Sequence, residues 1–156
     1  MSYYEIVSTV IAVFSLGVNI IQFGWRKPKI KLQLCWGHEV NKDGVGTYLC
    51  AHISISNRGS ETAYYSGIKA IDDNGELFYP SCTLNCPSEI PPNASIVGSI
   101  PIGHLLSHGT KELIFVDGTL VEHKMEKSIL TRVLHDLANE KERLEKMGYF
   151  VNPRTL

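Results

Sequence analysis

Residues 29–36 read KIKLQLCW and residues 49–56 read LCAHISIS, and these two stretches decide the fold class. In the first, Ile30, Leu32, Leu34 and Trp36 alternate with Lys29, Lys31, Gln33 and Cys35; in the second, Leu49, Ala51, Ile53 and Ile55 alternate with Cys50, His52, Ser54 and Ser56. Successive side chains of an extended chain point to opposite faces, so a two-residue hydrophobic period predicts strands with one face buried. Residues 41–46, holding Asp43-Gly44 and Gly46, make a turn-rich break between them, and Asn57-Arg58-Gly59 closes the second.

Moving toward the C-terminus, residues 63–71 are again β-rich, and Asp72-Asp73-Asn74-Gly75 ahead of residues 76–79 is a hairpin signal, because Asn-Gly supplies the positive φ angles of a tight turn. Residues 80–93 contain Pro80, Pro87, Pro91 and Pro92 and are expected to form a long surface loop, proline having no ladder donor. Residues 94–102 resume an extended pattern, 103–109 suit a short helical turn, and 112–116 lead through Asp117-Gly118 into 120–125. The whole predicts a mainly β domain, an antiparallel β-sandwich or a barrel-like relative of one, followed by one C-terminal amphipathic helix. That helix begins between residues 124 and 128 and runs to Met147, with Ile129, Leu130, Val133, Leu134 and Leu137 on its apolar side and Gly148 as its stop. Its charged second half, 139–146, reads either as a solvated helix end or as an extension for a partner. The organisation expected is an anchor at 1–25, a β domain at 26–126, a helix at 127–148 and a tail at 149–156.

Toward the N-terminus, residues 6–25 are an uncharged stretch, and 20 residues of helix rise about 30 Å, the thickness of a bilayer's hydrocarbon core. A cleaved signal peptide would carry Lys or Arg before a shorter apolar run and a small-residue cleavage site, and the sequence has neither. Tyr3, Tyr4 and Trp25 stand at the two ends, where amphipathic rings favour the headgroup layer. Arg26, Lys27, Lys29 and Lys31 follow the span while only Glu5 precedes it, which predicts a single-pass protein of the cell (inner) membrane with its N-terminus outside and its domain in the cytoplasm. Residues 26–156 then hold 15 basic and 15 acidic side chains, so the local basic cluster, not a global field, would attract anionic headgroups. The same balance argues against a nucleic-acid duplex as partner.

Ser8, Ala12, Ser15, Asn19 and Gln22 recur at helical spacing on one stripe of the span. Small residues and amides hold spans together where lipid offers no hydrophobic drive, so the stripe suggests a homo-oligomer; a lone helix tolerating two amides and a polar channel lining are the other readings. A single span, a short basic flank, then a strand, Asn57-x-Gly59, a strand and the 72–75 turn resemble the small single-pass prokaryotic membrane proteins that carry an immunoglobulin-like or related β-sandwich on the cytoplasmic side. The resemblance covers residues 6–79 and implies a fold but no catalytic residues; the Cys…Trp…Cys framework of true immunoglobulin domains is missing, Trp36 lying next to Cys35.

Cys82-x-x-x-Cys86 and His104-x-x-x-His108 have donor types that zinc prefers, set against the plainer reading of two surface histidines and two reduced thiols; glycine and proline around the His pair speak against a finger helix, and no metal or other cofactor is expected. A cytoplasmic domain leaves Cys35, Cys50, Cys82 and Cys86 reduced and Asn93-Ala94-Ser95 unglycosylated. Nucleophile elbow, phosphate-binding glycine loop, kinase set and His-Glu-x-x-His are all missing from the sequence, so the expectation is not an enzyme but a membrane-anchored binding or sensing module that scaffolds a protein partner. The alternative is a small membrane effector whose domain senses a ligand and whose clustered spans disturb the bilayer.

Overall fold

In the computed structural model, residues 3–25, 27–40 and 47–149 are described; the turn at 41–46, Arg26 and the tail beyond 149 lie outside the described residues, as do the side chains of Gln22 and Trp25. The apolar N-terminal run forms α1 (Tyr3–Trp25), and the Pro28 linker gives way to β1 (Ile30–Val40) and β2 (Thr47–Asn57). These two strands pair antiparallel without a slip, from Ile30 opposite Asn57 to Val40 opposite Thr47. β3 (Ala63–Ile71), β4 (Leu77–Phe78), β5 (Ser88–Ile90), β6 (Ser95–Pro101), α2 (Ile102–Leu106), β7 (Glu112–Asp117), β8 (Glu122–Lys124) and α3 (Lys127–Lys146) complete the chain.

The strands form two antiparallel sheets, β1-β2-β6 and β4-β3-β7-β8, with β5 also paired to β3. In β2 the period-2 pattern has its expected consequence: Leu49, Ala51, Ile53 and Ile55 are buried, each at most 1% exposed. In β1 the same pattern fades, since Leu34 is buried but Trp36 is 40% exposed. β3 changes phase midway. Its register shifts between Tyr65 and Gly67, so Ala63 and Tyr65 face inward before the bulge and Ile68 and Ala70 after it.

The core is a single cluster drawn from both sheets, α2 and α3, and α3 packs on β1 and β2 with Leu130, Val133 and Leu137 buried. The second half of α3 is exposed and laced with ion pairs, Arg143–Glu140 at 2.6 Å and Lys146–Glu142 at 2.7 Å. The chain is therefore mixed, antiparallel sheets with helices, and less purely β than the sequence suggests. The proline-rich segment 80–93 is also more than a loop. Its Ser88–Ile90 adds an edge strand to β3 and sends Ile90 wholly into the core, consistent with proline being tolerated beside an edge.

Candidate functional site

Asn57 ends β2 and is completely buried, so every polar atom of its side chain needs a partner. Its Nδ2 donates to the carbonyls of Glu61 (2.6 Å) and Ile90 (3.0 Å), and its Oδ1 accepts from the backbone N–H groups of Gly59 (2.9 Å) and Lys29 (3.2 Å). Arg58 N–H adds a bond to Lys29 O at 2.7 Å. The turn after β2 is thus laid across the chain that leaves α1. A Cβ at Gly59 would stand 2.6 Å from both Pro28 Cα and Lys29 N, so only glycine permits this approach. Lys29, Arg58, Gly59, Ser60 and Asn93 line an open cavity of about 300 Å³ at this corner, and both cationic side chains are exposed. Of the basic flank, Lys27, Lys29 and Lys31 are all exposed, whereas Arg26 lies outside the described residues.

A second polar constellation lies at the other end of the same sheet, Glu39 standing ten positions beyond Lys29, or about 33 Å along a strand. Here β1, β2 and β6 turn Glu39, Tyr48, Cys50, His52 and Ser99 to one face, with His52 opposite Cys35 and Ser99 in the registers. Glu39 Oε2 accepts from the Tyr48 hydroxyl and from Ser99 Oγ at 2.7 Å. His52 Nδ1 lies 3.9 Å from Glu39 Oε1, and His52 Nε2 lies 3.6 Å from Cys50 Sγ. Burial alone would raise the Glu39 carboxyl, but the two hydroxyl donors, with the imidazole nearby, outweigh it and hold the group below the usual range. Burial, reinforced by Glu39, pushes the Cys50 thiol up to about 12, so it is protonated at neutral pH. Thiol, imidazole and carboxylate stand in the order of a nucleophilic relay, yet a protonated thiol with no exposed surface is a poor nucleophile. The set suits coordination better. Among the described residues, Glu39, Cys50 and His52 are the one group of Cys, His, Asp or Glu whose ligand atoms all lie within 4.8 Å of one another.

The residues singled out as a zinc set are not brought together in this way. Cys82 and Leu84 pack over Gly98 on β6, while Cys86 turns away and its thiol donates to Ser66 O at 2.6 Å. His108 stacks on Phe78 of β4 with centroids 4.5 Å apart, and His104 sits in the short α2 with a buried Nε2 that makes no hydrogen bond. Their spacing does not gather them because the segments dock in different places, Cys82 beside β6, Cys86 against β3, His108 on β4 and His104 within α2. In α1, Ser8, Ala12, Ser15 and Asn19 are exposed, and Ser8 Oγ already bonds to Glu5 O at 3.0 Å. The side chain of Gln22 lies outside the described residues. The two turn aspartates behave as turn chemistry requires: Asp72 Oδ1 accepts from the N–H groups of Asn74 and Glu76, and Asp117 Oδ1 from those of Thr119 and Val121. The Glu39 cluster escaped the sequence reading, although Cys50-x-His52 on one strand face was a usable signal; the missing piece was the hairpin register that carries Glu39 across to them.

No family model and no curated protein matches the chain. Among solved structures, the X-ray structure of Northeast Structural Genomics Consortium target SoR45 is similar, at 14% identity over 61% of this chain and 79% of that one, with a TM-score of 0.33.

Proposed function

We propose that the chain is a single-pass protein of the cell membrane, N-terminus outside, whose β-rich domain works at the cytoplasmic face as a binding or sensing module and self-associates through its span. The observation that carries this reading is the state of α1. Residues Tyr3–Ile21 have a mean hydropathy of 1.8, and none of that stretch is buried by the rest of the protein. A core helix would be covered by its own domain; an uncovered apolar helix of this length finds its solvent in lipid. The exposed Lys27, Lys29 and Lys31, together with Arg58 at the same corner, support the cytoplasmic side, where anionic lipids attract such clusters. The common core of the two sheets supports reading them as sandwich layers, with α3 as an amphipathic helix laid on one of them.

The test is fractionation and thiol labelling in cells. The full chain should stay with membranes in alkaline carbonate, and a chain lacking residues 1–25 should be released. A membrane-impermeant maleimide should reach the exposed Cys35 and Cys86 only after permeabilisation. Labelling in intact cells would reverse the orientation, and a carbonate-soluble parent would end the anchor reading.

A further inference from the structure

We infer that Glu39, Cys50 and His52 form a binding site for one zinc-class divalent ion at the end of the β1-β2-β6 sheet away from α1. The inference rests on this sheet alone and is independent of where α1 resides. The donors are those a borderline-soft ion prefers: a thiol, an imidazole and a carboxylate. At usual zinc bond lengths the edges of a tetrahedral site are about 3.5 Å. The Cys50 Sγ to His52 Nε2 separation, 3.6 Å, already has that length, Glu39 Oε1 stands 3.9 Å from the other ring nitrogen, Nδ1, and one ligand atom from each of the three residues fits within a 4.8 Å envelope.

Three further features describe a built site and not a chance meeting of side chains. Gly37 lies beneath the imidazole, and a Cβ there would stand 2.7 Å from His52 Nε2 and 2.8 Å from Cδ2, so the ring could not occupy this place over any other residue. Tyr48 and Ser99 both donate to Glu39 Oε2, which orients the carboxylate and leaves Oε1 turned toward His52. Such outer partners fix the direction of a ligand and are a regular part of metal sites. Burial is graded as entry requires: Cys50 is closed off, while the His52 and Glu39 side chains are 27% and 33% exposed, so an ion would enter between them and meet the thiol last. On binding, the thiol proton passes to solvent, Cys50 coordinates as thiolate, and water takes the fourth position.

The test uses the untagged, reduced, chelator-stripped full chain in phosphatidylcholine nanodiscs, titrated with Co²⁺ as the optical probe. One Co²⁺ per chain should bind, with a thiolate-to-metal charge-transfer band and the visible bands of a tetrahedral site, and Zn²⁺ should displace it. Cys50→Ser should abolish the charge-transfer band, and His52→Gln and Glu39→Gln should each weaken binding tenfold or more while circular dichroism stays that of the parent. The double variant Cys82→Ser, Cys86→Ser should behave like the parent. If Cys50→Ser fails to fold, the parent spectrum and His52→Gln, at a side chain only 27% exposed, still decide. A parent without a charge-transfer band, or a band lost in the double variant, overturns the inference.

Discussion

Replacing Asn57 by alanine tests whether one buried amide holds the corner between the linker and the sheet. The change removes four hydrogen bonds of 2.6 to 3.2 Å, and their surroundings set the magnitude. The bonds to Ile90 O and from Gly59 N are buried, so alanine leaves one acceptor and one donor without water; the bonds to Glu61 O and from Lys29 N are partly buried and can be rehydrated. Each orphaned buried group costs about 1–3 kcal/mol, and each rehydrated one roughly 0.5–1 kcal/mol, which brings the expected loss to about 3–8 kcal/mol. That is a large part of the 5–15 kcal/mol or so that holds a typical domain. Chemical denaturation of the full chain in nanodiscs, followed by tryptophan fluorescence and circular dichroism, gives the number. Asn57→Asp should cost at least as much, because it keeps the acceptor, loses both donors and buries a charge. Arg58→Ala, one residue away and exposed, should stay within about 0.5 kcal/mol. A loss below about 1 kcal/mol for Asn57→Ala would show that the network is dispensable and that the corner is held by other contacts.

Three further outcomes are expected. Leu137→Ala, at a position with no exposed surface, should destabilise the domain by about 2–5 kcal/mol in the same assay, whereas Leu144→Ala, in the ion-paired second half of α3, should cost well under half of that; equal losses would mean the whole helix is docked. Asp117→Asn should weaken the domain at neutral pH by about 1–3 kcal/mol and flatten its acid limb. The sign follows from the depressed folded-state carboxyl: burial opposes ionisation, but donors from His123, Thr119 and Val121 prevail, so the stabilisation is present above the ordinary aspartate value of 3.8 and is lost as pH falls through the lower folded value. An unchanged acid limb would remove Asp117 from the account. In a membrane two-hybrid assay of the isolated 1–31 segment, Asn19→Leu and Ser15→Leu should lower association while Ile20→Leu should not; since such interhelical bonds average about 0.6 kcal/mol, only a severalfold drop is expected, and signals like the parent's from all three would make the stripe incidental and the anchor monomeric.

The strands were legible where local pattern and tertiary burial coincide, and Leu49 to Ile55 is the clear instance. Legibility failed wherever the determining fact was a pairing between distant segments. Ser88–Ile90 carries no alternation of its own and becomes a strand only because the edge of β3 is open to it. The phase change in β3 is equally silent in sequence, since a bulge at Ser66 and Gly67 is what lets Tyr65 and Ile68 both face inward. The same holds for the candidate sites. The spacing of Cys82, Cys86, His104 and His108 looked like chemistry but is an accident of four segments with separate docking places, whereas Glu39 and His52 are 13 positions apart in sequence and meet only through the β1–β2 register.

The strap made by the Gly59 turn over residues 27–29 has a mechanical consequence. α1 ends at Trp25, and from Lys27 onward the backbone is clamped to the body of the domain, so almost no free tether separates helix from domain. On the proposed membrane reading, an anchor joined through a long flexible linker would let its cargo wander, whereas this one holds the domain within a few residues of the bilayer surface. Lengthening that joint with a few glycines would widen this reach without altering helix or sheet.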